Sequence, residues 1–215
     1  EPDNLGPQIP ILLDVLDALG IPMVGVDDYE ADDLMATFSV KQNGPIRIVT
    51  GDRDLFQLVD DNRDVKVVYL AKGISNHDLV DLSWIEDKYE IPGDRYSLFA
   101  MIRGDSSDGL PGIRGIGEKG AATIANQFKS LPEVMTAAES GDERLTPNLR
   151  KKLLESSDYA LIAPKLVGCA LDVAIPEMSI ELPIKPKSLA KITSLKEEFG
   201  LGASIDRIMA ALGWI

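Results

Sequence analysis

The sequence predicts an α/β fold: a mostly parallel sheet with helices, followed by a mainly helical part. Three observations carry it. Short β-like runs alternate with helical stretches over residues 1–80. From Leu82 onward helix follows helix, with no long strand signal. The chain has 215 residues, 45% apolar and 27% charged, which suffices for a real core and argues against wholesale disorder.

Each element has its own signal. Residues 7–19 place Ile9, Leu12, Leu13, Leu16 and Leu19 at helical spacing, and Gly20 stops the helix. Residues 21–26 are short and β-like. Ala31, Leu34, Met35 and Phe38 form a helical stripe, so a helix begins near Tyr29; Gly44-Pro45 ends it. Residues 46–50 and 65–70 read as further strands, with a short helix (LFQLV) between them. Ser83 followed by Glu86 reads as a capping box. Two helices flank a loop rich in Gly, Asp and Pro at 104–117, and Thr146-Pro147 reads as an N-cap with proline at the first helical position. A proline-punctuated stretch, 174–187, leads to a last helical region that ends at Trp214. The expected division is an α/β core over 1–80, a helical part over 81–175 and a C-terminal helical segment over 176–215.

Composition narrows the function. The net charge of −13 argues against a uniformly basic binding face, but segregated charge would hide a basic patch beside an acidic cluster. No apolar run reaches the length of a membrane span; the most apolar stretch, 161–176, is interrupted by Lys165 and Asp172. No basic-then-apolar leader opens the sequence, so secretion is not expected. Cys169 is the only cysteine, which excludes an internal disulfide and a Cys-based zinc site. The single His77 argues against a His-rich metal site or a Ser-His-Asp relay.

The acids gather in three places: Glu30, Asp32 and Asp33; Asp52 and Asp54; Asp105 and Asp108. The first lies where a β-like run hands over to a helix, the second at the end of the next strand. Sites in open α/β sheets form outside the carboxyl ends of strands, so parallel neighbours would aim both clusters at one crevice. Glu30 and Asp33 share a helix face; Asp52 and Asp54 point the same way on extended chain. Two carboxylates ~4 Å apart repel by roughly 4 kcal/mol at an effective dielectric near 20, so convergence requires cations. Oxygen donors without His or Cys point to magnesium or manganese, and paired ions are the usual clamp for phosphodiester hydrolysis. Acids in a first helical turn also suit the macrodipole, and Asp52 and Asp54 alone would be ordinary turn residues. Recurrence at successive strand ends favours the joint site. Asp27 and Asp28 are read as loop charges outside it.

Residues 110–121, LPGIRGIGEKGA, read as a tight glycine hairpin entering a helix near Glu118. Free amides and a positive dipole end suit a phosphate, and Arg114 and Lys119 add charge. Such a site reads nucleic-acid backbone without base preference. Arg150-Lys151-Lys152 would extend the basic strip, or form a solvated helix face.

Three motifs in order, YEADD (29–33), TGDRD (50–54) and GDSSDGLPGIRGIGEKGA (104–121), resemble the bacterial 5′→3′ exonuclease and flap endonuclease family. That family includes the 5′-nuclease domain of DNA polymerase I. The resemblance implies a PIN-like or resolvase-like core followed by a helix–hairpin–helix of the H3TH type. It implies that Glu30, Asp32, Asp33, Asp52 and Asp54 are catalytic metal ligands or their supports, with Asp105 and Asp108 at a second metal position. Arg114, Gly115, Gly117, Lys119 and Gly120 would grip duplex DNA, and potassium would bind near Gly112, Ile113 and Ile116. The implied activity is magnesium- or manganese-dependent cleavage of 5′-flapped or nicked DNA in replication and repair, by a monomer in the bacterial cytoplasm. Gly109 and Gly120 depart from the family's usual Asn and Thr, which implies a weaker DNA grip. The family's first strand, with its metal-ligating Asp, and its arch precede the region matched, so this chain is expected to be a C-terminal portion, with a separate N-terminal segment as a partner. That expectation keeps a non-catalytic DNA-junction binding module as the alternative. A third reading is an RNA-directed nuclease of the same broad fold.

Overall fold

A computed structural model describes residues 5–106 and 109–215. In chain order the elements are α1 (Gln8–Leu19), α2 (Ala31–Lys41), β1 (Ile46–Thr50), β2 (Val65–Tyr69), β3 (Asp78–Val80), α3 (Leu82–Tyr89) and α4 (Tyr96–Arg103). Then follow α5 (Glu118–Ala125), α6 (Leu131–Ser140), α7 (Pro147–Glu155), α8 (Ser157–Val167), α9 (Leu189–Phe199) and α10 (Gly202–Ala211). They form two compact units, one of residues 28–173 and one of residues up to 27 with 174–215.

The larger unit holds a small mixed sheet in the order β1-β2-β3. β1 and β2 run parallel from Ile46 opposite Val65 to Thr50 opposite Tyr69. β3 runs antiparallel to β2. Period-two alternation decides which face enters the core: Ile48, Val65, Val67 and Val80 are buried, whereas Val49 and Leu79 are exposed. The core continues through Leu55 and Phe56 into α3, α4 and the helices after them. Phe56 is its aromatic hub, with ring centroids 5.0 Å from Tyr69, 5.5 Å from Trp84 and 5.2 Å from Tyr96. Edge-on and tilted rings at these distances add to the burial of their area. Further along, the Tyr159 hydroxyl donates to the Met101 carbonyl at 2.9 Å and so ties α8 to α4.

Several expectations need correction. Residues 21–26 form no strand; Pro22 lacks an N–H and Gly25 offers no side chain to pack. β3 had no sequence signal, being three residues long after a polar loop. The cap of α3 is Asp81, not Ser83: Asp81 Oδ1 accepts the Trp84 N–H at 2.9 Å and the Ser83 hydroxyl at 3.1 Å. That N–H, the Ser83 hydroxyl and Lys66 hold the Asp81 carboxyl below its usual range. Glu86 accepts instead from the Gly93 N–H at 3.4 Å. The Thr146 cap is as expected, its hydroxyl accepting the Leu149 N–H at 3.3 Å.

In the smaller unit, Val15, Ala18 and Leu19 of α1 pack with Ile192 and Leu195 of α9 and Ile205 and Met209 of α10; Trp214 lies against them. The α1 helix is where the spacing puts it, but its buried face is rotated, leaving Ile9, Leu12 and Leu13 exposed. Lys187 Nζ reaches Asp17 and Lys191 Nζ reaches Asp14, each at 2.6 Å.

The backbone between α4 and α5 crosses itself. A Cβ on Gly104 (φ +72°) would lie 2.5 Å from the Gly112 nitrogen, and one on Gly112 (φ +64°) 2.6 Å from the Arg103 carbonyl oxygen. Only glycine fits either position. Gly112→Ala is therefore expected to lower stability by about 2 kcal/mol or more in urea unfolding. Gly51→Ala, where a Cβ meets nothing within 4 Å, is the control, with a shift within about 0.5 kcal/mol.

Candidate active site

The first acidic cluster is set by the start of α2. Glu30 is extended (φ −85°, ψ 164°) and occupies the N-cap, so the helix begins at Ala31. Asp33 Oδ2 accepts the Glu30 N–H at 3.2 Å. Asp33 Oδ1 accepts the Ala170 N–H at 2.7 Å and so fastens the chain after α8 to α2. Thr37 Oγ1 continues that seam, donating to the Ala170 carbonyl at 3.1 Å and accepting the Val173 N–H at 3.2 Å.

The second cluster is set by the turn that ends β1. Thr50 Oγ1 accepts the Asp52 N–H at 3.0 Å, and Asp52 Oδ1 accepts the Asp54 N–H at 2.8 Å. Gln57 Nε2 donates to the Asp54 and Val167 carbonyls, each at 2.8 Å. Leu55 and Phe56, buried behind the turn, hold it on the core.

Glu30, Asp32, Asp33, Asp52 and Asp54 all line one cavity of about 430 Å³, with Leu110, Leu166, Val167, Gly168 and Cys169 completing its wall. Two stretches of chain twenty residues apart thus bring five carboxylates to one space. Among the described residues no three of them close tightly enough to enclose a metal ion. Burial first, and then Asp32, Asp33, Asp54 and Asp52, push the Cys169 thiol up to about 12. The thiol therefore stays protonated, and oxygen is the charged donor in the cavity.

Of the third cluster, Asp105 lies elsewhere. Asp105, only 6% exposed, faces a separate cavity of about 560 Å³ whose wall includes Arg53, Arg103 and Glu118. Its Oδ2 accepts from Arg53 Nε at 3.0 Å and from Arg53 Nη2, and Arg103 Nη2 stands 3.8 Å away. The hydrogen bond to Asp105 raises the Arg53 pKa. The backbone of Asp105 pairs with Leu110 through bonds of 2.9 and 2.7 Å, which closes the loop between them. Asp108 lies outside the described residues.

Arg53, Arg103 and Cys169 were not anticipated at these cavities. Arg53 has helical backbone angles (φ −80°, ψ −16°) at the start of a short helical turn, and its place between Asp52 and Asp54 gives no sequence signal that its side chain goes to Asp105. Nothing in the sequence brings Cys169 to the acids; the Asp33 bond to Ala170 does.

The hairpin is where the glycines put it. Gly115 is left-handed (φ +78°), Gly117 is the N-cap of α5, and Arg114 and Lys119 are exposed. Ile113 and Ile116 are buried beneath, at 1% and 5% exposure. A Cβ on Gly120 would lie 2.8 Å from Ile116 Cγ2, so glycine at this position is a packing requirement of this chain.

A family model described as 5′-3′ exonuclease, N-terminal resolvase-like domain, matches residues 1–90, and one described as 5′-3′ exonuclease, C-terminal SAM fold, matches residues 91–190. The chain belongs to the 5′-3′ exonuclease family. A 5′-3′ exonuclease of Streptomyces coelicolor is 46% identical over 211 residues, covering 98% of this chain and 70% of the relative. One of Mycobacterium tuberculosis is 37% identical over 219 residues, covering 98% and 69%. DNA polymerase I of Geobacillus stearothermophilus is 28% identical over 210 residues, covering 96% of this chain and 23% of the polymerase. Among solved structures, the 5′-exonuclease of bacteriophage T5 with bound divalent metal ions (zinc) superposes with a TM-score of 0.56 at 19% identity. That match covers 69% of this chain and 53% of that one, so the chain spans about half of it. The flap endonuclease of the same phage, in a complex with DNA and metal ions, gives 0.54 at 17% identity, covering 70% and 53%. At these identities the likeness shows a shared fold and no more. The join between the two family models falls between α3 and α4, inside the larger unit.

The two carboxylate turns lead to stability outcomes of different size. Asp33→Ala abandons two backbone N–H groups and is expected to lower unfolding free energy by about 2 kcal/mol in urea titrations. Asp52→Asn keeps the acceptor for Asp54 and is expected to shift it by no more than about 0.5 kcal/mol.

Proposed function

We propose that this protein is a divalent-metal-dependent 5′ nuclease that hydrolyses DNA phosphodiesters at 5′ flaps or nicks. The observation that carries the reading is the single cavity lined by Glu30, Asp32, Asp33, Asp52 and Asp54. Family membership fixes the reaction class, and the phage relatives were solved with metal ions and with DNA.

The donor set fits hard cations, because every ionised group in the cavity is a carboxylate. Glu30, Asp32, Asp52 and Asp54 would hold magnesium or manganese. Asp33 supports them through its two backbone bonds. Bound there, the cations would activate water and stabilise the departing oxygen. The residues of the chain do the positioning: Asp52 fixes the Asp54 backbone, and Gln57 anchors that turn to the end of α8. Asp105, paired with Arg53 and Arg103, shapes the approach to the hairpin and not the five-carboxylate cavity.

DNA would be held by its backbone. The first-turn amides of α5 and the side chains of Arg114 and Lys119 suit phosphate and carry no base information. The net charge of −13 is a whole-chain sum, and the hairpin nevertheless presents exposed Arg114 and Lys119.

A cleavage assay on 5′-flapped duplex with manganese, run beside a binding assay, tests the proposal. Asp52→Asn and Asp54→Asn are each expected to slow cleavage by about a hundredfold or more, with duplex affinity kept within about twofold. Binding by the wild-type protein without cutting would reassign it as a DNA-junction module. Lys119→Ala is expected to weaken binding equally on every sequence and to reduce the salt slope by about one. A base-selective loss would contradict backbone reading.

A further inference from the structure

We infer that Thr37 is a positioning residue for the acidic cavity: it locks residues 167–173 onto α2 as a strap that fixes the separation between the two carboxylate clusters. The inference rests on the proposed use of that cavity as a divalent-metal site.

Asp33, Thr37 and Lys41 stand four residues apart on α2, so they share one face of the helix. That face bonds to the backbone of two residues beyond α8. Asp33 Oδ1 accepts the Ala170 N–H at 2.7 Å, and Thr37 Oγ1 donates to the Ala170 carbonyl at 3.1 Å. Thr37 Oγ1 also accepts the Val173 N–H at 3.2 Å, and Lys41 Nζ donates to the Val173 carbonyl at 2.9 Å. Both backbone groups of Ala170 and both of Val173 are thus met by side chains, as a neighbouring strand would meet them. Thr37 is the centre of the row. It is fully buried and Val173 is 1% exposed, so bulk water does not make up for bonds lost there.

The other end of the strap is tied to the second cluster. Gln57 Nε2 donates to the Val167 carbonyl and to the Asp54 carbonyl, each at 2.8 Å. The chain from Val167 to Ala170 reaches no more than about 11 Å when fully extended. The turn of Asp52 and Asp54 and the first turn of α2 are therefore on one short tether, and Gly168 and Cys169 of that tether form part of the cavity wall. The far end of α2 is tied separately, by Arg63 Nη2 donating to the Ser39 carbonyl at 2.6 Å and the Val40 carbonyl at 3.2 Å. Without the Thr37 hydroxyl, Asp33 alone would hold the strap beside the acids, and the spacing of the carboxylates would vary more widely. Cations bind best to oxygens already held in place by groups behind them.

Cys169 is the only cysteine, so its labelling reports on the strap alone. The full chain is compared with Thr37→Val, Thr37→Ser and Lys41→Met. The first readout is labelling of Cys169 by neutral methyl methanethiosulfonate in the presence of a chelator. The second is manganese binding without DNA, followed by the spin resonance of the free ion. The third is flap cleavage as a function of manganese concentration. Thr37→Val keeps the shape and removes both bonds; it is expected to label about tenfold faster and to bind manganese about tenfold more weakly. Excess manganese should then restore its cleavage, which it would not do for a chain that is merely unfolded. Thr37→Ser keeps the hydroxyl and should stay within about twofold of wild type in both binding and labelling. Lys41→Met removes only the outermost bond, at the exposed end of α2; it is expected to shift both in the same direction by about threefold, and it serves as the test if Thr37→Val does not fold. Wild-type labelling in the folded variants would overturn the inference. So would faster labelling with unchanged manganese affinity, or a loss that serine does not rescue. If labelling behaves as expected while even the wild-type protein binds no manganese, the strap stands and the divalent-metal reading of the cavity falls.

Discussion

The fastening of acidic side chains to backbone amides is the interaction on which the arrangement of the larger unit's cavity depends. Five acids line that cavity, and the chain holds two of them directly. Asp33 takes two N–H groups, Asp52 takes one, and each acid so committed stiffens the turn that carries its neighbours. Behind the second turn sit Leu55 and Phe56, with essentially no exposure, so it cannot back away. The positive charge nearest in sequence, Arg53, does not relieve the cavity. It is drawn off to Asp105.

That diversion links the acidic cavity to the hairpin. The same Asp105 that binds Arg53 pairs its backbone with Leu110, and Leu110 belongs to the walls of both cavities. Immediately beyond, Gly104 and Gly112 pass at backbone contact distance, which sets the direction in which the chain enters α5. A catalytic reading and a binding reading therefore share one piece of covalent structure.

Much of this was legible in the sequence, for identifiable reasons. The acids of α2 and of the turn after β1 could be placed together because strand, helix and turn signals around them are strong and local. Glycines at 115 and 117 marked the hairpin for the same reason. What the sequence hid is long-range. Asp105 looked like a third member of the acidic site, and its spacing gave no hint that Arg53 and Arg103 would claim it. Thr37 looked like an ordinary helix residue, because the segment it fastens lies far along the chain. The strand expected at 21–26 fails because apolar composition alone does not supply a hydrogen-bonding neighbour. The short β3 escaped notice because its pairing with β2, not its composition, makes it a strand.

The two tryptophans of the chain are divided between its two units. Trp84 stands against Phe56 in the larger core, and Trp214 against the three-helix cluster of the smaller. Each is thus a resident fluorophore for its own unit. Replacing one with phenylalanine leaves emission that follows the melting of the other unit alone, so whether the halves come apart together or in sequence is readable without any attached dye.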